Sequence, residues 1–332
     1  MEGFSELQNL NEVNVLISRT DKIGDVILTL PLINELKRLI PNSRISFLIS
    51  RKLENLIDGY KDVDKVFFIE DVNINKFLST NKFDVAISVF PRKELAMAFY
   101  KAGIKVRVGT AYRLYSVLFN QRIKEHRKFA EKHEADYNLN LLSFLGKDIS
   151  YEKKFFFKYS KEEYELLKNR LHSINLIDKY VVIHPGSKGS ARDLPIDRIL
   201  QIPEMIINNH PDYKIVLTGI PQEKPITQLF KEIYKDKVID LAGELSLREL
   251  LIVIDKSSLF ISNSTGPIHI AGALNKNIIG FYPNSAPMNA TRWRPLSDNA
   301  KVISPVSGDD MASIDNKEIT SAINELLNNS NI

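Results

Sequence analysis

Short runs of Val, Ile, Leu and Phe alternate with helical patterns along this chain, and the alternation starts afresh at residue 180. In the first half the runs are "VNVLIS" (13–18), "RISFLIS" (44–50), "KVFFIE" (65–70), "DVAISVF" (84–90) and "VRVGT" (106–110). Helical patterns fall at about 26–40, 51–58, 74–80, 92–102 and 134–145. Residues 146–178 are charged and irregular around one helical piece, "KEEYELLKNRL". After the restart, strands are expected at 180–184, 213–218, 237–241, 259–262 and 277–282, and a last helix at 315–328. Strands this apolar are buried on both faces, which predicts parallel sheets covered by helices. The chain therefore reads as α/β, and its 332 residues suffice for two doubly wound, Rossmann-like domains. They are expected over 1–160 and 161–332, facing across a cleft, with helix 315–328 able to pack on either.

Open sheets of this kind bind ligands at the carboxyl ends of their strands. The first strand runs into "RTDKIGD" (19–25), a polar hairpin ending in Gly24-Asp25. Asp25 admits two readings: an N-cap of helix 26–40, or a carboxylate that takes a proton from an attacking hydroxyl. Lys22 beside it would keep that carboxylate ionised by attraction.

The second half opens with "HPGSKGSARDLP" (184–195). Its small residues let backbone N–H groups approach a phosphate, Lys188 and Arg192 neutralise charge, and Pro195-Ile196 opens a helix. It matches neither G-x-x-x-x-G-K-[ST] nor G-x-G-x-x-G, and taken alone it also fits a plain surface loop. In "FISNSTGPIHIAGALNKNIIGFYP" (260–283) a strand ends in Asn263-Ser264-Thr265-Gly266, with a helix expected to start at Pro267. Thr265 and Gly266 would then offer N–H groups to a diphosphate at the positive end of a helix, with His269 in the first turn aimed at the same anion. "KDVDK" (61–65) carries an Asp-x-Asp but sits in a charged connector rather than at the end of a long apolar strand, and "HEADY" (133–137) has a zincin's His-Glu without the second His; no metal site is expected.

Charge narrows the partners. Residues 92–133 hold eleven Lys/Arg against three Glu, a local excess of eight positive charges inside a chain of net charge +4. Phe99, Tyr100, Tyr112, Tyr115, Phe119 and Phe129 are interleaved with them. Such a segment attracts an acidic substrate, nucleic acid or an anionic membrane surface, and equally fits a solvated helical face. It contains no long apolar run, so attraction to a membrane would be electrostatic. Zero cysteines excludes disulfides and thiolate metal sites. The polar, acidic start is unlike a secretory signal, and "VILTLPLI" (26–33) is too short to span a bilayer. A cytoplasmic protein is expected.

Together these segments resemble glycosyltransferase family 9, the ADP-heptose:lipopolysaccharide heptosyltransferases. The matching pieces are "KIGDVILTLPLINELK", "HEADYNLNLL" (133–142), "VVIHPGS", "KIVLTGIPQE" (214–223), "DLAGELSLRELLIVI" (240–254), "SNSTGPIHIAGAL" and "RWRPLS" (292–297), in family order. The resemblance implies a GT-B fold, with acceptor on the first domain and nucleotide-sugar on the second, and an inverting enzyme that needs neither metal nor cofactor. It implies Asp25 as general base, Ser187 and Arg192 on the diphosphate, Glu223 on the ribose, and Thr265, Gly266 and His269 in the pyrophosphate loop. Lys188 and Arg192 compete for the same role, because the loop is one residue longer than in some members. Leu194 replaces the family's Trp, and Ser264 replaces an Asp that contacts sugar hydroxyls. The implied donor is ADP-heptose, a substrate; the acceptor is an anionic, lipid-linked Kdo or core oligosaccharide at the inner-membrane surface. Lys22, Arg92, Lys93 and Arg113 are the candidates for holding the acceptor's anionic groups. Nucleic acid is not an expected partner; another nucleotide-sugar donor, or a GT-B epimerase, is the alternative.

Overall fold

The computed structural model describes residues 11–150, 155–173, 179–187, 189 and 192–328. The chain divides into two compact units, Met1–Lys158 and Tyr159–Ile332. In the first, β1 (Val13–Ser18), β2 (Ser43–Ile49), β3 (Lys65–Phe68), β4 (Val85–Ser88), β5 (Val106–Thr110) and β6 (Gln121–Ile123) form one sheet in the order β3-β2-β1-β4-β5-β6. In the second, β7 (Tyr180–His184), β8 (Lys214–Leu217), β9 (Val238–Asp240), β10 (Leu259–Asn263), β11 (Ile278–Phe281) and β12 (Ala300–Ile303) form another in the order β12-β11-β10-β7-β8-β9. Every pairing in both sheets is parallel. Numbered within its own unit, each sheet has the strand order of a Rossmann fold, whose direction of winding reverses between strands one and four. The physical cause is the one the sequence announced. Central strands such as β1 and β10 are apolar and buried almost throughout, so each needs helices on both faces.

Two strands escaped the sequence reading, β6 ("QRI") and β12 ("AKVI"). Both are short edge strands carrying a cation, and neither has the apolar run that betrays a central strand. Three helical expectations are corrected. The helix expected at 26–40 is two, Ile23–Ile27 and Leu30–Leu39. Pro31 has no N–H to continue the ladder, and the Thr29 hydroxyl instead donates to the Asp25 carbonyl at 2.8 Å. The helix expected at 51–58 stops after the single 3₁₀ turn Arg51–Leu53, and Asn55 adopts a left-handed φ of 67°. The helix placed at Pro267 begins one residue earlier, at Gly266.

The last helix, Asn316–Asn328, packs Ile319, Ile323, Leu326 and Leu327 into the core of the second unit, with Ile279 and Phe281 of β11. Among the described residues no helix is long and apolar enough to cross a membrane.

Candidate active site

In the first unit the two strands at the winding reversal are β1 and β4, whose last residues, Ser18 and Ser88, lie side by side. The chain leaving β1 carries Arg19 to Asp25. The N-cap of helix Ile23–Ile27 is Lys22, and Asp25 lies inside the first turn, so the expectation of Asp25 as a cap is corrected. Its side chain is free to be held by something else, and the cation that holds it is Arg19 rather than Lys22. The Arg19 guanidinium is only 3% exposed and Asp25 14%. Arg19 donates through Nη2 to Asp25, through Nε to Asp21 at 2.8 Å, and through Nη1 to Glu134 at 3.3 Å and Asn138 at 3.4 Å. Glu134, fully buried, also accepts from Arg127, which reaches Asn138 at 3.0 Å. Asn138 in turn donates to the Leu28 carbonyl at 2.8 Å.

This cluster places two guanidinium groups among three carboxylates. Burial works against charge on Arg19, but Asp25, Asp21 and Glu134 overcome it and raise its pKa. Burial pushes Asp21 up to about 6 against the pull of Arg19, and the Asp25 charge adds to the push. Sequence reasoning missed Arg19, Asp21, Glu134 and Asn138. Glu134 and Asn138 were legible only as an i, i+4 pair on the helix Glu134–Leu139, and nothing local joins them to Arg19, 115 and 119 residues away.

Of the acceptor candidates, Arg92 lies between β4 and helix Lys93–Lys101, and its Nη1 donates to the Thr20 hydroxyl at 3.3 Å, which brings it to the β1 hairpin. Lys93 is exposed at the start of that helix, Lys22 is exposed at the start of Ile23–Ile27, and Arg113 follows β5 at the N-cap of the turn Leu114–Leu118. All four thus project from the carboxyl ends of three adjacent strands. Three other cations of the basic segment are structural. Arg107 donates to the Leu118 and Ile104 carbonyls, Arg127 to Glu134, and Lys132 to Glu125 at 2.6 Å.

In the second unit the reversal falls between β7 and β10. The loop after β7 is fastened at both ends by one side chain. Asn263, fully buried at the end of β10, donates to the Pro185 carbonyl at 3.0 Å and accepts from the Leu194 N–H at 2.9 Å. Leu194 is buried in the unit's core. Within the loop Ser187 donates to Asp193 at 2.6 Å. Arg192 pairs with Asp309 at 3.1 Å and stays largely exposed. Lys188 lies outside the described residues. Burial pushes the Asp193 carboxyl up, Ser187 pulls it down, and the Glu223 charge raises it further.

Glu223 itself is drawn to this loop: its Oε2 accepts from the Ile220 N–H at 2.9 Å, and Oε1 fills the space where any side chain at Gly186 would begin. That close approach is the reason for glycine at 186. On the far strand, Thr265 is the N-cap of helix Gly266–Ala273, but its hydroxyl pairs with Ser262 at 3.1 Å and does not cap the first turn. Ser264 is hydrogen-bonded to the buried Tyr282 hydroxyl, which donates to the Trp293 carbonyl at 2.9 Å. His269 is buried in the helix with its ring edge-on to Trp293, centroids 6.1 Å apart. Ser187, Arg192, Glu223, Ser264, Thr265, Gly266 and His269 therefore belong to the carboxyl ends of β7, β8 and β10 and to the segments that follow them.

Two Rossmann-type parallel sheets, each with candidate residues at its winding reversal, define a two-domain α/β protein of the GT-B type. The description glycosyltransferase family 9 (heptosyltransferase) matches residues 72–321, and the chain belongs to that family. It is 29% identical to a provisionally named glycosyltransferase of Haemophilus influenzae, over 87% of this chain and 88% of that one. It is 22% identical to lipopolysaccharide heptosyltransferase 3 of Escherichia coli, over 83% and 84%. Its fold matches ADP-heptose lipopolysaccharide heptosyltransferase II of E. coli with a TM-score of 0.79 at 20% identity, covering 96% of this chain and all of that one.

Proposed function

We propose that this glycosyltransferase moves a heptose from ADP-heptose onto the inner core of lipopolysaccharide or lipooligosaccharide, inverting the anomeric centre without a metal ion or cofactor. The observation that carries the proposal is Asp25, held by a buried arginine at the carboxyl end of β1. In this reading the acceptor hydroxyl loses its proton to Asp25 as its oxygen attacks the anomeric carbon. The bond from that carbon to the diphosphate breaks, and ADP leaves. The departing charge is met by the first N–H groups of helix Gly266–Ala273, by the hydroxyl of Ser187 and by Arg192, with Lys188 as its rival in that role. Glu223 holds the ribose, and His269 supports the pyrophosphate loop. Lys22, Arg92, Lys93 and Arg113 take the carboxylates and phosphates of an anionic, lipid-linked acceptor at the cytoplasmic face of the inner membrane. Incubation with ADP-heptose and core-lipid acceptors should yield a product heavier by one heptose; an unchanged acceptor mass overturns the proposal.

One observation favours a different donor sugar. Ser264 stands where the family has Asp and is engaged with Tyr282. A hydroxyl offers a sugar diol one weak partner, where a carboxylate offers two charged acceptors. A donor panel with wild type and Ser264→Asp separates the readings. If wild type prefers ADP-heptose and the variant gains nothing, the serine is a neutral replacement.

A further inference from the structure

The turn Leu114–Leu118, between β5 and β6, is a 3₁₀ turn, in which residues three apart eclipse one another. Tyr115 and Leu118 pack against the core of the first unit, and Phe119 is buried in it. Leu114 and Val117 fall on the opposite edge, 100% and 73% exposed. Single exposed apolar residues are ordinary, but this pair has a rim. Tyr112 stacks on His126 with ring centroids 3.7 Å apart, and Phe129, half exposed, stands edge-on to the same His126 at 5.8 Å. Lys128 lies over Phe129 at 4.8 Å, Arg113 opens the turn, and residues 112–124 contain no acid at all. An aliphatic tip, amphipathic aromatic rings and then cations is the arrangement that enters the boundary between lipid headgroups and acyl chains.

We infer that Leu114 and Val117 insert into an anionic phospholipid bilayer, so that the enzyme is seated by an apolar wedge as well as by charge. The inference deepens the reading of a lipid-linked acceptor and rests on it. The cations Arg113, Arg122 and Lys124 in the same stretch favour an anionic lipid surface over a second copy of this chain, which would bring the same charges.

The chain has no cysteine, so Leu114→Cys gives the full-length protein a single attachment point for a polarity-sensitive dye. On adding vesicles of phosphatidylglycerol and phosphatidylcholine, the dye should shift to the blue. The shift should persist at about 1 M NaCl, where screening shortens the Debye length to about 3 Å. In flotation with the same vesicles, unlabelled Leu114→Ser/Val117→Ser protein with wild-type circular dichroism should partition at least about tenfold less than wild type at every salt concentration. Vesicle-bound protein with no blue shift overturns the inference, as does a variant that partitions like wild type. A blue shift that grows with protein concentration in the absence of lipid also overturns it, in favour of a second copy. The vesicles carry no acceptor and turnover is not measured, so failure of the heptosyltransferase reading and failure of the wedge are seen separately.

Discussion

Asp25 and the arginine behind it have separable effects. Replacing Asp25 by Asn keeps the shape of the side chain and removes the proton acceptor. Turnover is expected to fall by about 10²–10⁴, the usual worth of a positioned general base, with ADP affinity unchanged by calorimetry. Turnover within a few-fold of wild type would show that the carboxylate only balances Arg19. Asp21 gives the same cluster a pH dependence whose sign can be worked out. Its carboxyl rises from an ordinary 3.8 to about 6 on folding, so the folded chain holds that proton more tightly. The stabilisation is complete below about 3.8 and is lost as pH rises through about 6. Asp21→Asn cannot lose it, so between about pH 4 and pH 7 melting temperatures should move in the variant's favour, by at most about 3 kcal/mol in stability. A constant gap across that range would mean that Arg19 fully offsets the burial of Asp21. Asp25 could be singled out in the sequence as a candidate because the polar hairpin after an apolar strand ends in Gly-Asp. Arg19 was not, because its meaning depends on Glu134 and Asn138, which only the folded chain brings to it.

At the scale of elements, the loop after β7 depends on a residue outside it. Asn263 is the shared partner of Pro185 and Leu194, so its truncation orphans one buried carbonyl and one buried N–H. Each such group costs about 1–3 kcal/mol, and Asn263→Ala should therefore lower the denaturant midpoint clearly. ADP affinity should fall several-fold with it, since the loop ends are no longer held. Loss of stability with undiminished ADP binding would separate the staple from the proposed anion site. Central strands and the long helices could be read from the sequence, because burial on both faces leaves an unbroken apolar signature. The edge strands β6 and β12 could not, and neither could the break at Leu28–Thr29, which follows from a proline two residues further on. The turn Leu114–Leu118 left no periodic signal either, since three-residue spacing over five residues is too short to stand out.

For the whole molecule, the proposal assigns all stabilisation of the departing diphosphate to protein groups: one helix terminus, hydroxyls and cations. Turnover should accordingly survive excess EDTA. Loss of activity that Mg²⁺ or Mn²⁺ restores would mean that the diphosphate is neutralised by a metal ion instead. The division into two α/β units could be anticipated from the restart at residue 180, yet the order of strands within each sheet could not. Alternation reveals the apolar strands and that they run parallel; it is silent on which are neighbours.

That strand order carries a consequence for how the protein comes into being. Val15 of β1 pairs with Val85 of β4, and Val181 of β7 with Leu259 of β10, so each reversal joins segments far apart along the chain. Pairings of such high contact order form slowly, because the entropy of closing the loop is lost before the contacts reward it. On a ribosome the first sheet can complete β1–β4 while the second half is still being made. The two candidate half-sites should therefore mature in sequence, and stopped-flow refolding should show a slow phase that Ala86→Gly, in β4, lengthens.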